Sequence, residues 1–134
     1  MAHWLMKSEP ASYGWDDLVR DGAAEWDGVR NPAARLHLKA MREGDEAFFY
    51  HSGKDKAVVG VMRIARGGAP DPADPDWVSV AVAPARVLST SVTLKALRAD
   101  PRLAGLEMLR QSRLSVSPVR EEEWAAILDL AERG

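Results

Sequence analysis

The stretch Trp26-Asp27-Gly28-Val29-Arg30-Asn31, followed by Pro32-Ala33-Ala34-Arg35, lies where a loop turns into a helix. Asn31 before Pro32 is typical of a helix N-cap, because the amide oxygen can accept a free backbone N–H and proline has none to leave unpaired. Gly28 allows backbone angles that a Cβ would forbid, so the segment can curl tightly over a bound molecule. These features indicate a binding site; the alternative is that Trp26 belongs to the core and Asn31 is only a cap.

The residues around this segment predict several strands. His3–Ser8 predicts a first strand, and Glu46–His51 with 57–66 predicts a hairpin in which Gly60 marks a bulge or a close approach of backbone or ligand. Glycines and prolines predict a surface loop at 67–76. A further strand at 77–88 is interrupted by Pro84, and a last strand is predicted at 111–118.

The helices are predicted from apolar residues three and four positions apart. Ser12 would lead a helix with Trp15, Leu18 and Val19 on one face. The helix from Pro32 would bury the set Ala33, Leu36, Ala40 and Met41, and the last helix would bury the set Trp124, Ile127, Leu128 and Ala131. Strands and helices do not alternate regularly, so we predict an α+β fold on a small, curved, mixed sheet.

The composition is that of an ordinary globular protein, and we expect one domain over 1–134. The apolar runs are too short to cross a bilayer and the first residues carry no secretory signal, so we expect a cytoplasmic protein. The chain has no cysteine, which excludes disulfides, thiolate nucleophiles and cysteine-bound metals. A net charge of −2 argues against sequence-blind binding along a nucleic-acid backbone, so such a role would need a specific pocket.

No set of residues predicts catalysis or a metal site. His3, His37 and His51 lack metal-ligand spacing, and no phosphate-binding loop or Gly-x-Ser-x-Gly motif is present. Polar residues instead follow the ends of predicted strands, at 7–8, 50–52 and 111–113. If the sheet curves, these ends and Trp26 with Asn31 would line one cleft suited to a planar heterocycle flanked by phosphates.

Four blocks of the sequence closely resemble the EVE domain family, which includes many stand-alone bacterial proteins. They are Trp4-Leu5-Met6-Lys7-Ser8-Glu9-Pro10, the Trp26 to Asn31 segment, Phe48-Phe49-Tyr50-His51-Ser52, and Ser112-Arg113-Leu114-Ser115-Val116 with Trp124, in the family's order. The resemblance implies a PUA-like fold, a small open mixed β-barrel with flanking helices, related to YTH and ASCH domains. Members of this superfamily recognise RNA, or modified bases in RNA or DNA, in a pocket on the barrel.

The resemblance therefore implies a non-catalytic module that binds a modified base, a modified cytosine in DNA or a modified RNA base, with no cofactor, metal or membrane. The residues implied for base binding are Trp26, Val29, Asn31, Tyr50, His51 and Ser52. Trp26 would form a wall of the pocket, and Asn31 and Ser52 would contact the base edge. The residues implied for the pocket rim or the neighbouring phosphates are Lys7, Ser8, Arg30, Ser112 and Arg113.

Two positions depart from the family's pattern. Leu36 stands where many relatives carry a polar residue, which weakens any expected contact from that helix face. Arg120 stands where a serine or threonine often caps the last helix, which predicts a weaker cap.

Two other classes of function remain open. One is a nucleic-acid- or nucleoside-processing hydrolase related to ASCH-like proteins, with Lys7, Tyr50 or His51 as catalytic groups; it predicts release of a product. The other is a module for a small molecule or a protein, and it predicts no nucleic-acid affinity at low salt.

Overall fold

The computed structural model describes residues 1–133, which form six strands, five α-helices and one 3-10 helix. The strands are β1 (His3–Ser8), β2 (Ala24–Trp26), β3 (Glu46–His51), β4 (Ala57–Pro70), β5 (Val78–Thr93) and β6 (Val116–Val119). The helices are α1 (Trp15–Asp21), α2 (Pro32–Ala40), α3 (Leu94–Ala99), the 3-10 helix Pro101–Leu103, α4 (Glu107–Arg110) and α5 (Glu121–Arg133).

All six strands belong to one mixed sheet in the order β2-β5-β4-β3-β1-β6. β1 runs parallel to β3, and every other pair of neighbours is antiparallel. β2 and β6 form its two edges, so the sheet is open, and the predicted α+β fold on a mixed sheet is confirmed. No helix among residues 1–133 is long and apolar enough to span a membrane.

Each face of the sheet carries a hydrophobic core. Neighbouring residues of a strand point to opposite faces, so the adjacent and fully buried Phe48 and Phe49 lie in different cores. The first, which we call the Trp26 core, contains Trp26 and Phe49 and is covered by α1 and α2. The second, the Trp124 core, contains Phe48 and Trp124 and lies beneath the helices from α3 to α5.

β4 and β5 extend further along the chain than predicted, and in β4 this is because Gly67 and Gly68 continue the strand instead of ending it. A Cβ on Gly67 would lie 2.9 Å from the carbonyl oxygen of Met41, and one on Gly68 would lie 3.1 Å from that of Leu38. These glycines let β4 pass close to α2 and the residues after it, and the predicted loop shrinks to the connection between Pro70 and Val78.

The three helices described from the sequence, α1, α2 and α5, are present, but the start of α1 and the buried faces of α1 and α2 differ from the prediction. α2 begins at Pro32 and buries Ala34 and Leu38, whereas Leu36 is 62% exposed. α1 begins at Trp15 after Gly14, not at Ser12, and Val19 is 53% exposed. These predictions were wrong because the spacing fits more than one face of a short helix, and only packing against the sheet selects one.

Two further features concern the end of the chain. The last strand begins at Val116, later than predicted, although Leu114 before it is buried. α5 is capped despite Arg120, because the Glu123 carboxylate accepts the Arg120 backbone N–H at 2.9 Å and its guanidinium at 3.0 Å. The side chain at the third position of the helix thus supplies the cap.

The bulge predicted at Gly60 in β4 is present, and the group that comes close there is a side chain, not backbone or a ligand. The pairing register shifts beside it, and a Cβ there would lie 2.6 Å from ring atoms of Trp15. We expect Gly60→Ala to lower the free energy of unfolding by about 1–3 kcal/mol, because a buried indole cannot yield freely. Urea denaturation measures this loss, which should shrink when Trp15 is replaced by leucine; equal losses in both backgrounds would refute the clash.

Candidate functional site

A cavity of about 460 Å³ opens between the end of β1 and the edge strand β2. It is lined by 7–9, Tyr13, 24–31 and Ser115. The volume falls within the ~300–1,000 Å³ typical of small-molecule sites, so it accommodates a nucleobase. The whole segment from Trp26 to Asn31 contributes to its wall, together with Lys7 and Ser8.

Trp26 is both a core residue and part of the cavity wall. Its side chain is 9% exposed, and its ring meets the Phe49 ring edge-to-face, with centroids 5.5 Å apart and an angle of 83° between the planes. Phe49 meets Trp15 in the same manner at 5.6 Å. The indole is therefore held from behind by the Trp26 core, which presents it rigidly to the cavity.

The segment after Trp26 has the local geometry that the sequence predicts. Gly28 adopts φ 74°, a left-handed conformation that favours glycine, and turns the chain toward α2. The Asn31 side-chain oxygen accepts the Ala34 N–H at 3.0 Å and caps α2. Its NH₂ group has no hydrogen-bond partner within residues 1–133, so the amide nitrogen is the atom of Asn31 that a ligand can use.

The buried carboxylate of Asp71 binds this segment, although Asp71 does not itself line the cavity. One oxygen of Asp71, just after β4, accepts the Gly28 N–H at 2.9 Å and the Arg30 Nη1 at 3.1 Å. The other oxygen accepts the Ala73 N–H at 2.8 Å. The hydrogen bond from Arg30, followed by those from the two backbone N–H groups, lowers the pKa of Asp71 to about 2.

The shifted pKa predicts an acid-sensitive contribution to stability. The folded-state pKa of Asp71 lies below its unfolded value of about 3.9, so its contribution is complete above that value and disappears as the pH falls toward 2. Urea denaturation at successive pH values should show the free energy of unfolding falling between about pH 5 and pH 2. Asp71→Asn should flatten this dependence, and profiles that stay parallel would contradict the prediction.

The structure brings Trp26, Val29, Asn31, Lys7, Ser8 and Arg30 to the cavity, out of the residues that the sequence proposes. Val29 is 8% exposed, and the Ser8 hydroxyl donates to the Tyr13 carbonyl at 2.6 Å. Lys7 Nζ donates to the Ser112 carbonyl at 2.9 Å, and burial lowers the pKa of this lysine. Its ammonium therefore ties β1 to the chain before β6.

Tyr50, His51 and Ser52 do not line the cavity. Tyr50 lies in the Trp124 core on the opposite face of the sheet, where burial raises its pKa. The His51 ring accepts the Trp15 backbone N–H at Nε2 (3.0 Å) and bonds Asp55 at Nδ1 (3.2 Å), so both nitrogens are occupied. Alternation along β3 turns Tyr50 to the opposite face from Phe49, whereas His51 lies on the same face as Phe49 and its ring is occupied by Trp15 and Asp55.

Ser112 and Arg113 line a neighbouring hollow of about 320 Å³. Arg110 and Asn31 line it as well, and Asn31 also lines the main cavity, so the two spaces adjoin. Arg113 forms no ion pair within 4 Å among the described residues 1–133, whereas Arg110 contacts Glu107 at 3.3 Å. The hollow therefore places a free guanidinium beside the cavity.

Sequence reasoning missed Tyr13 and Asp71. Tyr13 is an aromatic residue in the turn that follows Lys7 and Ser8, a position that could have marked it as part of the wall. Its hydroxyl donates to Asp21 at 2.8 Å, and burial together with that carboxylate raises its pKa to about 12. No local signal marks Asp71, because its partners Gly28 and Arg30 lie more than forty residues earlier in the chain.

Comparisons with known proteins place the chain in a family. The EVE domain family model matches residues 2–130. Mouse thymocyte nuclear protein 1 is 34% identical over an alignment that covers 97% of this chain and 74% of that protein. The NMR structure of a Rhodopseudomonas palustris protein is 44% identical with a TM-score of 0.94, covering 99% of this chain and 94% of that one.

Two further structures bear on the fold. Human THYN1, solved in complex with 5-methylcytosine containing DNA, has a TM-score of 0.94 at 30% identity, covering 100% of this chain and 99% of that one. A Zygosaccharomyces rouxii YTH domain has a TM-score of 0.63 at 14% identity, covers 97% of this chain and 86% of that one, and is similar in fold alone. The fold is PUA-like, as the resemblance implied. The chain therefore belongs to the EVE domain family.

Proposed function

We propose that this chain is a non-catalytic module that binds nucleic acid carrying a modified base and takes that base into the cavity beside Trp26. One observation carries the proposal. The segment from Trp26 to Asn31 lines a cavity of about 460 Å³ on a fold that matches, at a TM-score of 0.94, human THYN1 in complex with 5-methylcytosine containing DNA. A modified cytosine in DNA is accordingly the first candidate, and a modified RNA base is the second.

The chemistry of the wall suits a flat, hydrogen-bonding ring. Trp26 offers an indole that the core holds in place, and Asn31 offers an unpaired NH₂ group that can donate to a ring nitrogen or carbonyl. A base stacked inside a duplex cannot enter such a cavity, so the base must be flipped out or come from a single strand. Val29 and Tyr13 add apolar and aromatic surface around it.

The neighbouring hollow suits a phosphate next to the bound base. Arg113 is exposed and has no ion pair among residues 1–133, and Ser112 lies beside it. Because the net charge is −2, this local patch rather than the whole surface must supply the backbone contacts. Lys7 and Ser8 stand at the cavity rim in this proposal, although the Lys7 ammonium already donates to the Ser112 carbonyl.

A panel of labelled oligonucleotides tests the proposal. It comprises single- and double-stranded DNA and RNA with plain, methylated and hydroxymethylated cytosine, measured at low salt. We expect tighter binding to one modified base than to its plain counterpart. Equal failure on every oligonucleotide would refute the proposal and favour a small-molecule or protein ligand.

No observation favours the hydrolase alternative. Tyr50 lies in the Trp124 core, with the Lys7 ammonium 5.9 Å from its ring centre and bound to the Ser112 carbonyl, and both nitrogens of His51 are hydrogen-bonded. Incubation with modified nucleosides should therefore release no product.

A single domain over 1–134 and a cytoplasmic location remain part of the proposal. Limited proteolysis tests the first, and fractionation of cells that express the chain tests the second.

A further inference from the structure

We propose that Asp71 shapes the base pocket through Gly28 and Arg30, and that Arg30 is a positioning residue rather than a phosphate contact. This inference rests on the proposed function. We call Asp71 with its two partners the Asp71 latch. The latch joins the connection between β4 and β5 to the segment that forms the pocket wall.

The Asp71 carboxylate is fully used within the protein. Its side chain has no exposed surface, and both of its oxygens accept hydrogen bonds, from Ala73 on one side and from Gly28 and Arg30 on the other. A buried carboxylate is tolerated only when it is paired and hydrogen-bonded in this way. The Asp71 carboxylate is therefore a buried structural group that connects the β4–β5 connection to the pocket segment.

Arg30 is held at three points. Besides the contact with Asp71, its Nη1 donates to the Val29 carbonyl at 3.0 Å, and its guanidinium lies 5.6 Å from the centre of the Trp77 ring. Trp77 is the last residue of the connection between β4 and β5, and the Arg35 guanidinium lies 5.1 Å from the centre of the same ring. A guanidinium fixed by these contacts has little freedom to follow a phosphate.

The latch bears directly on the shape of the cavity, because Gly28, Val29 and Arg30 all line it. Without the carboxylate, the Gly28 N–H and the Arg30 guanidinium lose their shared acceptor, and the segment can adopt other conformations. A ligand would then have to restore the ordered wall when it binds, which weakens affinity. We expect the largest loss of affinity in the contacts that distinguish the modified base from its plain counterpart.

Asp71→Asn tests the latch, and Asp76→Asn is its matched control. Asparagine keeps the shape of Asp71 but replaces one acceptor oxygen with a donor that must face N–H groups. Asp76 lies in the same connection, is exposed, and its carboxylate has no hydrogen bond among residues 1–133, so its substitution makes the same charge change. We expect Asp71→Asn to weaken binding to the preferred modified oligonucleotide about tenfold to a hundredfold, and Asp76→Asn to leave it nearly unchanged.

A second pair of variants separates positioning from phosphate contact. A lost phosphate contact should reduce the slope of log K against log salt by about 0.9 and weaken binding to all sequences alike. We expect this result for Arg113→Gln. Arg30→Gln should instead keep the slope and lose preference for the modified base; a reduced slope with unchanged preference would overturn the inference.

Hydrogen exchange of the Gly28 amide reads the latch in the free protein. It should be slow in the wild type and fast in Asp71→Asn, while amides of β3 keep their protection. Equal protection of Gly28 in both proteins overturns the latch, and so does fast exchange with unchanged affinity. If the wild type binds no oligonucleotide, the proposed function fails, whereas the Gly28 amide still decides whether Asp71 holds the pocket segment. Should Asp71→Asn fail to fold, Arg30→Gln carries the same test.

Discussion

Trp26→Ala should weaken binding to the preferred modified oligonucleotide about ten- to a hundredfold, because stacking of one base on an aromatic side chain is worth ~1–3 kcal/mol. The ring lines the cavity and is backed by Phe49 at 5.5 Å, so no neighbouring side chain can replace its surface. Titration of the labelled oligonucleotide by fluorescence anisotropy measures the change. A folded Trp26→Ala protein that binds as tightly as the wild type would contradict the base-pocket assignment.

Folding must be separated from binding in this test, since Trp26 is also buried. Truncation of a core tryptophan to alanine destabilises a protein by about 3–5 kcal/mol. Trp15→Ala is the matched control, because Trp15 is 7% exposed, contacts the same Phe49 ring and does not line the cavity. Trp26→Phe keeps an aromatic face and should retain more affinity than Trp26→Leu. An equal loss of affinity in Trp15→Ala would mean that folding, not stacking, explains the result.

What could be predicted of the site followed from chemistry between near neighbours. Asn31 and Pro32 predict a cap and a helix start, and Gly28 predicts a turn, because each of these effects acts within a few residues. Asp71 could not be found in this way, since its role exists only where two distant segments meet. His51 was misplaced for a related reason: its ring is occupied by the Trp15 backbone, a partner in a different element.

The same distinction, between effects of near neighbours and contacts between distant segments, applies to the prediction of the fold. The bounds of β1 and β3 were predicted because aromatic and apolar residues concentrate there and polar turn residues follow. The start of β4 was predicted as well, but its C-terminal end was not, since Gly67 and Gly68 allow close packing and do not turn the chain. The buried face of α2 was not predicted either, because only packing against the sheet selects it. A glycine reads the same in a sequence whether it bends the chain or lets another segment approach.

β3 contributes one central phenylalanine to each core, so it affects both the stability of the protein and the wall of its pocket. Phe49 lies between Trp15 and Trp26 in the Trp26 core, whereas Phe48 stacks on Trp124 at 3.8 Å in the Trp124 core. Both side chains are fully buried. The pocket wall therefore depends on one of these neighbours and not on the other.

Phe49→Ala and Phe48→Ala should each lower the free energy of unfolding by about 3–5 kcal/mol, the range for deleting a buried phenylalanine. Their effects on binding should differ. Loss of the edge-to-face contact with Trp26, worth ~0.5–1.5 kcal/mol, should weaken base binding about two- to tenfold in Phe49 variants alone. Urea denaturation gives the first quantity and oligonucleotide titration the second.

The leucine variants make this comparison in proteins that keep most of the core volume. Phe49→Leu and Phe48→Leu differ by one position in sequence and carry the same chemical change, so general loosening of the protein affects both alike. Weaker binding in Phe49→Leu with normal binding in Phe48→Leu means that the core supports the pocket through the ring behind Trp26. If the two variants lose affinity equally, the indole is not held by its neighbour, and binding follows overall stability instead.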